Sequence, residues 1–221
     1  MSFAGFPDEG LVFYEGLEAD NSKTYWTAHR ADYEAHVRAP MAALLEELAP
    51  QFGAAKMFRP YRDVRFSHDK TPYKTHQGAV VTLGGRGAGS WYVQISADGL
   101  MVSGGCWRLE SDQVARYRRA VADDVQGPRL EAEVARLRAG GWDIEGDRLV
   151  RVPAGFSADD DRIDLLRHKS LHATRHWTPE DWLHTPAVPT RVRDSWRDLA
   201  TLNVWLGDNV GATTKEPRPR R

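Results

Sequence analysis

Residues 59–75 read Arg-Pro-Tyr-Arg-Asp-Val-Arg-Phe-Ser-His-Asp-Lys-Thr-Pro-Tyr-Lys-Thr. Within them the hydrophobic period changes. Val64 and Phe66 alternate with Asp63, Arg65 and Ser67, which predicts a strand with an apolar face on one core and a polar face opposite. The strand leaves through Asp69-Lys70, and Pro72 holds Thr71 extended. That turn brings Lys70, Tyr73 and Lys74 near the polar end of the strand.

On the N-terminal side the period is helical. One helix is expected over 8–18 and a second from Lys23 to Val37, where Trp26, Arg30, Tyr33 and Val37 recur at three and four residues behind an Asn21 or Ser22 cap. Pro40 is expected to open a third helix, to Ala49. On the C-terminal side strands are expected over 79–83, 91–96 and 100–103, the last two joined at Asp98-Gly99. Helices follow from Ser111 to Ala122 and from Arg129 to Ala139, ending at Gly140-Gly141. Trp142–Val152 reads as a hairpin, Asp159–Arg167 as a helix and Thr178–Asp181 as the start of a short helix. A last helix after Pro189 carries Val192, Trp196, Leu199, Asn203 and Leu206 on one stripe. Helices, a meander of strands, then mixed elements predict an α+β fold: a single domain over 1–214 with a largely antiparallel sheet, N-terminal helices and a C-terminal helix. Residues 215–221, basic and Pro-rich, are expected to form a disordered tail.

The 221 residues hold 30 Lys and Arg against 31 Asp and Glu, so a globally basic nucleic-acid binder is excluded. The charge is uneven. Residues 1–55 have three cations against nine acids, whereas 56–76 have six cations against only Asp63 and Asp69. The single cysteine, Cys106, excludes an intramolecular disulfide and a multi-cysteine zinc site. The opening twenty residues have no Lys or Arg and no long apolar run, unlike a signal peptide. No stretch approaches the roughly 18 apolar residues of a membrane helix. A cytoplasmic setting without a membrane partner is expected.

The candidate site is the charged segment. Arginine offers a planar fork suited to carboxylate or phosphate, and lysine a mobile point charge. Arg62 and Arg65 are expected to grip a small, phosphorylated anion, with Lys70 and Lys74 neutralising it. Asp63 and Asp69 orient the donors or, with phosphate, hold a divalent metal; Ser67 and Tyr73 add hydroxyls. Two other readings stand beside this one. The Arg–Asp set can be a purely structural network pinning strand to turn. The same strip, with Tyr61, Phe66 and Tyr73, also suits a non-catalytic module for nucleic acid or an acidic partner, although the acidic first third disfavours a polyanion. No motif names a cofactor or a reaction.

Other motifs carry less. Gly84–Gly89 lacks the Gly-Lys-Ser/Thr of a phosphate loop and reads as a flexible hairpin loop from which Arg86 can reach an anion. His168, His172 and His176 are spaced by four, which suits metal sharing on a helix; read as a strand, the run puts His172, Thr174 and His176 on one face. No carboxylate sits at an obvious ligand spacing, and no metal site is expected. Cys106 reads as a small buried hydrophobe rather than a reactive thiol.

The stretch RDVRFSHDKTPYKT resembles the signature of a widespread family of uncharacterised conserved proteins, classed only as a domain of unknown function. FPDEGLVFYEGLEADNSKTYW resembles the family's opening and YEAHVRAP its second helix. Gly104-Gly105 before Trp107 resembles its glycine-rich strand end. The helix containing Arg118 and VPAGFSADD also fit. The chain has Asp20-Asn21 where the family often has paired Asn, and Cys106 in place of a third Gly. The resemblance implies a family and a fold and brings no activity with it.

Overall fold

The computed structural model describes residues 2–65, 68–83 and 89–216. Phe66 and Ser67 of the charged segment, positions 84–88 of the glycine loop with Arg86, and positions 217–221 of the basic tail lie outside the described residues.

The N-terminal helices are α1 (Asp8–Ala19), α2 (Lys23–Ala28), α3 (Arg30–Asp32) and α4 (Ala39–Phe52). Ser22 caps α2, its hydroxyl accepting the Tyr25 N–H at 3.1 Å. The continuous helix expected from Lys23 to Val37 breaks at His29, and Tyr33–Arg38 form a π-helical turn. Pro40 supplies the physical reason for that turn. It has no N–H to give the carbonyl four residues back, and the Ala39 N–H bonds Glu34 instead, five residues back. Pro40 lies in the first turn of α4, as expected, although the π turn runs into that helix without a break and the helix ends at Phe52, beyond Ala49.

Among the described residues the sheet has six antiparallel strands: β1 (Lys56–Met57), β2 (His76–Thr82), β3 (Ser90–Ser96), β4 (Gly99–Cys106), β5 (Asp143–Glu145) and β6 (Leu171–Trp177). Their order is β1-β2-β3-β4-β6-β5. Asp98-Gly99 makes the expected turn, with Gly99 at φ +104°. The hairpin expected within 142–152 does not form. β5 pairs with β6, in the register Asp143↔Thr174, and Arg148 bridges to His168. The partner of β5 thus lies beyond the local turn.

The remaining helices are α5 (Ser111–Ala122), α6 (Gln126–Ala139), α7 (Ile163–Leu166), α8 (Val188–Asp198) and α9 (Ala200–Asn209), with a 3-10 turn at Asp181–His184. Glu110, not Ser111, caps α5, and its N–H goes to the Gln113 side chain at 3.0 Å. The predicted C-terminal helix is two helices, α8 and α9, yet all five residues of its stripe are fully buried or nearly so.

The chain divides into two compact units, each discontinuous in sequence. One is drawn from Met1–Val81, Tyr92–Val102 and His176–Ser195, the other from Thr82–Trp91, Ser103–Arg175 and Trp196–Arg221. In the first, Tyr14, Leu17, Tyr33, Met41, Leu44 and Leu48 form the core, and the buried Tyr33 hydroxyl donates to Gln77 at 2.6 Å. In the second, Tyr117, Leu130, Leu171 and Trp196 are buried, and the Trp91 indole donates to the Trp196 carbonyl at 3.0 Å. The buried Asn203 side chain accepts the Ser90 N–H at 3.2 Å and donates to the Ser90 carbonyl at 3.1 Å, as a neighbouring strand would. Thr213 and Thr214 bond Asp112, and Lys215 bonds Ser111.

Replacing Asn203 with Leu keeps the branched shape at a larger volume and leaves two part-buried backbone groups of Ser90 without this partner, each worth up to about 1–3 kcal/mol when withdrawn from water unpaired. The urea midpoint is expected to fall by a corresponding amount. A midpoint equal to that of the unaltered protein overturns this account of Asn203.

Candidate functional site

The charged segment leaves the fold through a narrow neck. Tyr61 and Tyr73 form an isolated antiparallel bridge, flanked by Arg62 N–H to Pro72 O at 2.9 Å and Lys74 N–H to Pro60 O at 2.8 Å. Asn21 clamps the neck from the α1–α2 turn. Its amide oxygen accepts the Tyr73 N–H at 3.0 Å and its amide nitrogen donates to the Tyr73 carbonyl at 3.1 Å. The Tyr73 ring, 5% exposed, stacks on Trp26 with centroids 4.5 Å apart and planes 9° apart. Trp26 in turn lies 4.9 Å from Tyr33.

Beyond the neck the described part of the expected strand does not form: Asp63, Val64 and Arg65 lie outside any strand, and Val64 is only half-buried. The aspartates explain why. Asp69 accepts both the Thr71 N–H at 2.9 Å and the Thr71 hydroxyl at 2.7 Å, and Asp63 reaches the Arg65 N–H at 3.4 Å. Such local side-chain bonds compete with a ladder, and prolines 60 and 72 have no N–H to offer one.

The predicted residues form two ion pairs and two backbone ties. Arg65 grips Asp63 in a fork, with Nε–Oδ1 at 2.9 Å and Nη2–Oδ2 at 2.7 Å. Those bonds hold the Asp63 carboxyl at about 2. Arg62 pairs with Asp69 and donates to the Thr71 hydroxyl at 2.6 Å. The Thr71 bonds and the Arg62 charge keep Asp69 below the usual carboxylate range. Lys70 Nζ donates to the Val64 carbonyl at 3.0 Å across the loop, and Lys74 Nζ to the Arg59 carbonyl at 3.1 Å. Lys74 also lies over the Phe58 ring, 5.0 Å from its centroid. Burial, then Arg59 and Arg62, push Lys74 below the usual lysine range; burial, then Lys74 and Arg62, push His76 down as well. Arg65 is an exposed pair with Asp63, its side chain 65% accessible.

A cleft of 430 Å³ lies at the start of the segment. Its walls are Trp26, Tyr33, Phe58 and Tyr61, with Arg30, Arg38 and Arg59 supplying charge. Glu34, also in the wall, pairs with Arg38 at 3.0 Å. Of the charged segment this cleft takes Arg59, Pro60 and Tyr61, not Arg62 or Arg65. Arg30, Arg38 and Asn21 were not singled out as site residues from the sequence. The available signal was the Trp26–Arg30–Tyr33 stripe, in which a guanidinium interrupts an aromatic face.

Of the histidine run, His172 and His176 lie on the strand β6, not on a helix, and His168 precedes it. His172 and Thr174 are buried and His176 is exposed. Among the described residues no three His, Cys, Asp or Glu side chains gather as a metal set. Cys106 is buried, its thiol donating to the Arg108 carbonyl, and burial raises it to about 11. At neutral pH it is a thiol and a poor nucleophile. Among the described residues no helix is long and apolar enough to cross a membrane.

The architecture is therefore an α+β protein with a six-stranded antiparallel sheet and a cation-rich loop held on an aromatic stack. The chain belongs to the conserved hypothetical protein family DUF2461, whose model matches residues 9–205. Comparison with curated proteins and with solved structures gives no match.

Two outcomes follow from this geometry. Asn21→Ala removes both bonds to the Tyr73 backbone, and faster tryptic cleavage at Arg65 or Lys70 is expected in limited proteolysis; an unchanged cleavage rate refutes the clamp. His76, His168 and His172 all titrate below their ordinary value of 6.5, burial being the first cause of each shift. Their folded pKa lies under the unfolded one, so the unfolded chain binds more protons and stability rises with pH in that window. Acidification from about pH 7.5 to about pH 5 is expected to lower the melting temperature, and His76→Gln to flatten part of that slope. A melting temperature that rises over this range contradicts the assignment.

Proposed function

We propose that the protein binds a small phosphorylated anion at the cationic strip of residues 59–75, with Arg59 and Lys74 making the contacts. The observation that carries this reading is the charge left over once the ion pairs form. Asp63 and Asp69 are taken by Arg65 and Arg62. Among the described residues, Lys56, Arg59, Lys70 and Lys74 then have no carboxylate partner, and Lys74 sits half-buried beside two guanidiniums. Like charges held together in this way are unfavourable until a counter-ion joins them. Phosphate, with up to two negative charges and several acceptor oxygens, suits a point-charge lysine beside an arginine fork. Arg62, Arg65 and Lys70 shape the loop that carries the contacts. The aromatic walls of the adjoining cleft, with Tyr61 47% exposed, suit an organic portion of the ligand.

Titration calorimetry with inorganic phosphate and pyrophosphate tests this. Saturable binding is expected, with Lys74→Gln and Arg59→Gln each weakening it about tenfold or more, the scale of one charged hydrogen bond. Little loss of melting temperature is expected, because Arg59 is exposed and each change removes one of several crowded like charges. Salt dependence should be shallow. Absence of binding by either anion, or a single-stranded oligonucleotide that binds with a steep salt slope, overturns the small-ligand reading, and the second result establishes the nucleic-acid one.

A further inference from the structure

A separate cleft, of 630 Å³, lies wholly within the unit that carries α5. Its walls include Trp107, Leu109, Val114, Arg118, Leu149 and Lys169. The volume is that of an ordinary small-ligand site.

Trp107 is 46% exposed, yet it is not a loosely held surface side chain. Its ring stacks on His172 with centroids 3.8 Å apart and planes 20° apart. His172 is itself fixed: it is buried on β6, with Nε2 3.3 Å from the Glu145 carboxylate. The approach of the two segments depends on Gly105, at φ +126°. A Cβ there would stand 2.5 Å from the Leu171 carbonyl oxygen and 2.6 Å from the His172 Cα. The indole is thus a pre-ordered platform, which lowers the ordering cost of a ligand that lies on it.

Arg118 provides the charge. It is half-buried on α5, and its Nε donates to the Leu166 carbonyl at 3.0 Å. Among the described residues no carboxylate pairs with it. A guanidinium withdrawn from water without a counter-charge is costly, and burial holds it below the ordinary arginine range. With Nε engaged, the two terminal nitrogens remain as the fork that takes a carboxylate end-on. Lys169 is already neutralised by Asp147 at 2.5 Å, and Arg108 is exposed in the wall. One half-buried cation therefore awaits one negative charge, and Leu109, Val114 and Leu149 suit an apolar body.

We infer that this cleft binds an aromatic monocarboxylate, its carboxylate on Arg118 and its ring on Trp107. The site is independent of the phosphorylated-anion reading and does not rest on it.

The test uses the full chain with naphthalene-2-carboxylate as probe, followed by calorimetry and tryptophan fluorescence. Saturable binding is expected, with the neutral isostere naphthalene-2-methanol at least about tenfold weaker, the scale of one charged pair. Acetate, which has no ring, should not compete. Trp107→Leu and Arg118→Met should each weaken the carboxylate by a similar factor, with Arg118→Lys losing less than Arg118→Met. Arg59→Gln should bind it as the unaltered chain does. If Arg118→Met fails to fold, the isostere comparison and Trp107→Leu still decide. No saturable binding, equal binding of acid and alcohol, or undiminished binding by Trp107→Leu overturns the proposal.

Discussion

Trp26 and Tyr73 lie face to face, 4.5 Å apart, and the charged segment hangs from that contact. One ring comes from a short N-terminal helix, the other from the chain just before β2. Offset aromatic pairs contribute about 0.5–1.5 kcal/mol beyond the area they bury. Here the pair also determines position, because Asn21 satisfies both backbone groups of Tyr73 at the same point. The neck is closed on each side of the Tyr61–Tyr73 bridge by a proline carbonyl accepting an N–H. A loop anchored so firmly at its base can hold unneutralised charge at its rim without unravelling the fold beneath.

The charge itself is divided by purpose. Two aspartates consume two arginines and, in doing so, bend the backbone away from a ladder. The cations without carboxylate partners are those at the start and end of the segment, together with Lys70 across it. Salt bridges as exposed as Arg65–Asp63 contribute little to stability. Their consequence here is geometric: they set the shape of the loop and leave a local positive field on a protein whose total charge is nearly zero.

Much of the fold was legible in the sequence. The period-two runs and Asp98-Gly99 are local signals, and β2, β3 and β4 follow from them. The Val192–Leu206 stripe is buried as its spacing implies, although the helix breaks at Leu199. What was not legible depends on distant pairing. Gly146 follows β5 and imitates a local turn, while the true partner is β6. Asp63–Arg65 alternate like a strand, but a periodicity argument does not weigh the aspartate side chains that claim the same N–H groups. The site divides in the same way. The charged cluster is visible in one dimension, whereas Asn21, Arg30 and Arg38 acquire their places only when the N-terminal helices pack.

The π turn at Tyr33–Arg38 amounts to one residue spliced into a helix, with a lasting effect on everything downstream. Tyr33, Val37 and Met41 fall four and four apart, a spacing that drifts by about 80° along an α-helix and that the wider π turn brings closer to one line, and all three are buried. The extra residue keeps α4 in phase with the core. Removing it by a single-codon deletion would restore ordinary helical winding and turn α4 by about 100°. Met41, Leu44 and Leu48 would then swing off the core together. The segment can therefore absorb substitutions far more readily than a change in length, and among related chains its spacing should be kept more strictly than its letters.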